Sequence, residues 1–111
     1  AKDGFTAKDN LDQAVDAWVQ LVQACIPSFC PQLGNAAYEL ASIPSELHHD
    51  YDLWMRYDFA LIDCSTHVLM LPRWQTSHGA KLEHEHALRT GKRILYHVAH
   101  VLEEGKNLRN P

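Results

Sequence analysis

The chain has 111 residues, 46% hydrophobic and 22% charged, with a formal net charge of −4. That length supports one domain, residues 1–111, with one real core; the composition is ordinary for a globular protein, and the charge lacks the basic footprint of a nucleic-acid binder. No apolar run reaches membrane-spanning length, and no signal-peptide pattern opens the chain.

Cys25, Cys30 and Cys64 form no Cys-x-x-Cys pair. They read as free, mostly buried thiols in a reducing compartment, hence a cytoplasmic protein, with a Cys25–Cys30 bond left open.

Residues 1–8 are polar and read as a loop. Asn10 and Gln13 form an Asn-x-x-Gln capping pattern, so a helix is expected from Asn10 to about Ala24. Leu11, Val15, Trp18 and Val22 give it an apolar stripe. Cys25–Pro31 is short, apolar and proline-bounded; it is predicted as a strand, although Pro27 removes a ladder donor. Residues 31–45 read as a loop with a helical turn at Ala36–Ala41. Ser45 caps the next helix, from about Glu46 to Cys64, with Leu53, Trp54, Tyr57, Leu61 and Cys64 facing inward.

His67–Leu71 resembles a parallel strand covered on both faces. After the loop Pro72–Thr76, Ser77 is a good N-cap for a helix to about Thr90, and Gly91 stands where a C′ residue would end it. Ile94–His97 then reads as a strand and Val98–Glu104 as a last helix. This alternation predicts an α/β open parallel sheet with helices on both faces. Ligands of such sheets bind at the carboxyl ends of the strands, where the Pro72–Ser77 loop falls.

Within the Ser77 helix, Ala80, Glu83 and Ala87 share one face, and the two alanines leave space around the carboxylate. Glu85 has Lys81 and Arg89 at four residues on either side and reads as a solvated ion-paired face. Glu83 is therefore the candidate for chemistry, against the plainer role of a surface glutamate. Ser77 is an N-cap, an anion-binding hydroxyl at the positive end of the helix, or both. Trp74 either anchors its loop or stacks on a ligand ring. Tyr51, Trp54 and Tyr57 read as core and interface residues.

Eight histidines raise the question of a metal. Glu83-x-x-His86 and Glu46-x-x-His49 share the spacing of di-iron carboxylate bundles, but those sites need four long facing helices. His84 and His86 point to different helix faces, and His97 with His100 lacks a third ligand. No metal and no other cofactor is expected.

Leu71-Pro72-Arg73-Trp74-Gln75-Thr76-Ser77-His78-Gly79-Ala80, followed by Glu83, Ala87 and Gly91-Lys92, resembles the nucleoside 2-deoxyribosyltransferase superfamily. The form is nearest its small uncharacterised bacterial and phage branch, and the likeness extends more weakly from about Asn10 to Tyr96. The resemblance implies a flavodoxin-like or Rossmann-like sheet, here lacking the family's first strand with its Gly-Pro turn. It implies that Glu83, four residues after Gly79, is a nucleophile attacking the anomeric carbon of a (deoxy)nucleoside or its 5′-monophosphate. A second base or water would resolve the glycosyl-enzyme.

At Ser77, where the transferases carry aspartate, the chain resembles the nucleoside 5′-monophosphate N-glycosidase relatives, which implies a phosphate held there, with Gly79 and Trp74 as further candidate substrate-binding residues. The aspartate usual before the third strand is replaced by Cys64-Ser65-Thr66-His67, leaving Asp58 or Asp63 to substitute. The family also implies a homodimer or higher homo-oligomer, with Asn107 and Asn110 of the tail as candidates to reach across. No membrane or nucleic-acid partner is expected. The alternative is a nucleotide-binding module of the same fold without turnover; a purely structural protein is the third reading.

Overall fold

The structure, a computed structural model, describes residues 7–41 and 51–109. Ser45, the Glu46 start of its helix, the Glu46–His49 pair and Asn110 lie outside these residues. The elements are α1 (Ala7–Gln23), α2 (Pro31–Leu40), α3 (Tyr51–Asp63), β1 (His67–Leu69), a 3-10 turn (Trp74–Thr76), α4 (His78–Arg89), β2 (Arg93–Leu95) and α5 (Val98–Arg109). They divide between two compact units, residues 1–48 and 49–111.

In the first unit α1 begins at Ala7, so Asn10 lies inside the helix and does not cap it. Lys8 and Asp12 pair across one exposed turn at 2.9 Å. The buried stripe is Ala14, Ala17 and Leu21, beside the expected one, and Val22 is 49% exposed. The larger residues mark an apolar side, but the buried face is the one carrying the two alanines.

The expected strand at Cys25–Pro31 does not form. Ile26 N–H instead bonds back to the Leu21 carbonyl and Cys25 N–H to that of Val22, both at 2.9 Å. Cys25 takes the left-handed position (φ 58) usually left to glycine at a helix end. Trp18 Nε1 donates to the Ser28 carbonyl at 3.4 Å, holding the segment that follows. Pro31 then occupies the first turn of α2, where its fixed φ and missing N–H cost nothing, so the proline opens a helix in the stretch expected to be loop.

The second unit is built on a β1–α4–β2 crossover. Its strands pair in parallel, with His67 opposite Arg93, Val68 opposite Ile94 and Leu69 opposite Leu95. Among the described residues these are the whole sheet. The open parallel sheet with helices on both faces, flavodoxin-like or Rossmann-like, is thus corrected: the described residues form five α-helices and a single two-stranded ladder, the ladder lying in the second unit. The residues expected to add a further strand are spent on a helix end and a helix start.

Met55, Ile62, Met70, Ala87, Leu95 and Val101 form this unit's buried core. On α3 the inward line is therefore Met55–Ile62; Tyr57, expected inside, is 53% exposed, and Cys64 is exposed as well. Cys25, Cys30 and Cys64 are all free; Cys25 is exposed and Cys30 half-buried, so the thiols are not mostly buried. Arg93 Nε donates to Glu104 Oε1 at 2.9 Å, tying α5 to the sheet. No described helix is long and apolar enough to cross a membrane.

The ends of α4 are as the sequence predicts. Ser77 Oγ accepts from Ala80 N–H at 3.2 Å, and Gly91 adopts φ 72 just beyond the helix. Ser77→Ala is expected to cost about 1 kcal/mol of stability by losing this cap, and Gly91→Ala a similar amount through strain at positive φ. Denaturant melts of the two variants check both values; unchanged midpoints would contradict them.

Candidate active site: a buried acid pair beside an aromatic depression

Ala87 is fully buried at the α3–α4 packing surface, and Glu83 on the same face meets Asp58 of α3 through a side-chain hydrogen bond. The alanine-flanked face therefore turns toward α3, and the space expected around Glu83 is occupied by that helix. Burial first, then the Asp58 charge and their hydrogen bond, push the Glu83 carboxyl up to about 8. Burial raises Asp58 as well, while its bond with Glu83 acts in the opposite direction. At neutral pH the pair retains one proton. Asp58 Oδ1 is buried without a hydrogen-bond partner, an unsatisfied acceptor inside the fold.

On the neighbouring face of α4, about 100° around the helix from Glu83, His84 supports an aromatic cluster. Its ring stacks on Trp74 with centroids 4.2 Å apart, and its Nε2 shares a 2.8 Å hydrogen bond with Tyr96 Oη. Trp74 and Tyr96 lie 6.2 Å apart, tilted by 32°. Together with Pro72, Arg73, Gln75 and His97 they line an open depression of about 480 Å³. Its lining comes from the segments that follow β1 and β2, hence from the carboxyl edge of the sheet.

The remaining expected residues fall elsewhere. Asp63 is bound to His86, with Oδ1 2.7 Å from Nε2, while the His86 ring stacks on Phe59 at 4.4 Å. Of the two candidate aspartates, Asp58 is the one brought to Glu83. Ser77 sits exposed at the start of α4. A Cβ at Gly79 would meet Met55 Sδ and Tyr51 Oη at 3.6 Å, so this glycine lies against the start of α3.

Among the described residues, no group of three or more His, Cys, Asp or Glu side chains is placed to hold a metal. Tyr96, His84 and His97 were not singled out from sequence for ligand binding. Their one sequence signal is position, at a strand's carboxyl end or one residue after the candidate glutamate.

The second unit is thus a crossover with a buried acid pair on one face of its helix and an open aromatic depression beside the neighbouring face. Residues 29–96 match a family described as a domain of unknown function, DUF4406, and the chain belongs to it. The matched segment contains the pair and every lining residue of the depression but His97. No curated protein and no solved structure matches the chain.

Proposed function

We propose that this protein cleaves, or transfers across, the N-glycosidic bond of a (deoxy)nucleoside or its 5′-monophosphate in the cytoplasm. Glu83 is the nucleophile and Asp58 its proton partner. The observation that carries this reading is the buried pair, with Glu83 held protonated up to about pH 8. Two ionised carboxylates would be costly side by side in a dry site; one shared proton makes the pair tolerable and keeps a reactive carboxyl poised there. The Gly79–Glu83–Ala87 spacing with Gly91-Lys92, in its likeness to the nucleoside 2-deoxyribosyltransferase superfamily, supports the choice of substrate.

On attack, the Glu83 proton passes to Asp58. A Glu83 oxygen bonds to the anomeric carbon as the carbon–nitrogen bond breaks on the opposite face; the base leaves with the electron pair and takes a proton from water, and the hydroxide left behind is neutralised by the proton held on Asp58. Water or a second base then displaces the glycosyl group, its proton going to Asp58 and back to Glu83. The two carboxyls share a hydrogen bond, which sets them closer than the roughly 5 Å between the paired acids of retaining glycosidases. Asp58 is accordingly a proton store on the nucleophile's side of the bond, and Glu83 alone makes the covalent link.

A second reading, a nucleotide-binding module without turnover, is favoured by the turn of Glu83 toward α3 and away from the depression. Incubation with deoxynucleosides and their monophosphates, followed by chromatography for free base, separates the two. Release that vanishes in Glu83→Ala supports the enzyme. A ligand-raised melting temperature with no release supports the module.

A further inference from the structure

We infer that His84 is a positioning residue, a latch that joins the loop after β1 to the loop after β2 so that the two carboxyl-edge loops move as one. This role is independent of what the depression binds and of whether Glu83 turns a substrate over.

The two loops are remote in sequence. The first carries the 3-10 turn Trp74–Thr76; the second, Tyr96 and His97, lies between β2 and α5. Backbone hydrogen bonds shape each of them locally. Trp74 N–H donates to the Leu71 carbonyl at 3.1 Å and Ser77 N–H to that of Trp74 at 3.0 Å, while His100 N–H donates to the His97 carbonyl at 3.0 Å. Bonds of such short reach set the form of a loop and leave its distance from the other loop open.

His84 spans that distance with two different parts of one ring. Its face stacks on the Trp74 indole, with centroids 4.2 Å apart and planes 27° apart. Its edge, through Nε2, shares the 2.8 Å hydrogen bond with Tyr96 Oη. A stack uses the π face and a hydrogen bond lies in the ring plane, so the two contacts are compatible in one imidazole. Phenylalanine would keep the face and lose the edge. The 6.2 Å between the Trp74 and Tyr96 rings, and with it the width of the depression they line, is then set from α4. His84 directly follows Glu83 on that helix, so the latch also fixes both loops to the element that carries the acid pair.

Residue-resolved amide hydrogen exchange on the full chain reads the latch. Trp74, Thr76 and Ser77 report on the first loop and His100 on the second; Lys92 and Arg93, whose N–H groups bond to the Ala87 and Thr66 carbonyls, report on the surrounding fold. His84→Ala should speed exchange about 10-fold at the reporters of both loops and leave Lys92 and Arg93 unchanged. Trp74→Leu should speed His100 as well, by about 3-fold, although that amide belongs to the other loop. Tyr96→Phe should speed both loops in the wild type and add nothing in His84→Ala. In His84→Phe, which keeps the stack alone, Trp74→Leu should no longer reach His100.

Acceleration confined to one loop, or additive effects of His84→Ala and Tyr96→Phe, would overturn the latch. So would an effect of Trp74→Leu on His100 that survives in His84→Phe, or loop amides that exchange at unprotected rates in the wild type. Faster exchange at Lys92 and Arg93 in every His84 variant would mark general loosening of the fold and count equally against it.

Discussion

Glu83→Gln is expected to lower base release by roughly 10⁴-fold and, in the same protein, to raise thermal stability above pH 8. The first effect follows from removing the atom that forms the covalent link. The second follows from linkage. Glu83 is raised from 4.5 to about 8, so between those values the folded state binds a proton that the unfolded state has lost. Its contribution is fully present below about pH 4.5 and disappears as pH rises through about 8.

Glutamine mimics the protonated form and cannot ionise, so the variant escapes that loss. The difference at pH 9 should be on the order of 2 kcal/mol, or roughly 10 °C in Tm for a chain of this size. Melting curves of wild type and variant from pH 5 to 9 should nearly coincide at pH 5, draw apart progressively as pH rises to about 8, and keep that gap above it. Parallel curves throughout would mean that Glu83 is not held as a buried acid.

Asp58→Asn should change the shape of the pH–rate profile as well as its height. In the wild type the pair works with one proton, so base release should decline as pH passes about 8 and that proton is lost. Asparagine removes the Asp58 charge, the second of the three causes that raise Glu83, and keeps a carbonyl oxygen able to accept from it. Glu83 then ionises at lower pH, the alkaline limb near pH 8 disappears, and the rate falls by about 10²–10⁴-fold for want of a proton partner. A merely structural Asp58 would lower the rate without moving the limb. An unshifted limb, measured on folded protein, rejects the proton-sharing role.

The features legible in the chain are those set by short-range chemistry. Ser77 caps α4 and Gly91 ends it because a hydroxyl within reach of an N–H, and a residue free to take positive φ, are local requirements. The apolar runs on either side of α4 make β1 and β2 for a similar reason, and with them the position of the carboxyl-edge loop.

Cys25–Pro31 misleads because proline at a strand edge and proline opening a helix look alike without their neighbours; the bond from Ile26 N–H to the Leu21 carbonyl decides it. The buried face of α1 is similarly ambiguous, since burial falls on Ala14, Ala17 and Leu21 and not on the larger residues beside them.

The sequence by itself determined α4, its caps, its flanking strands and Glu83 as the carboxyl to examine. Only the tertiary structure decided that Glu83 turns to Asp58, that Asp63 goes to His86, and that Trp74 and Tyr96 share His84. Each of these contacts joins residues on different elements, or beyond one turn of chain. Their meeting depends on how helices and loops dock on the sheet, which no local spacing encodes.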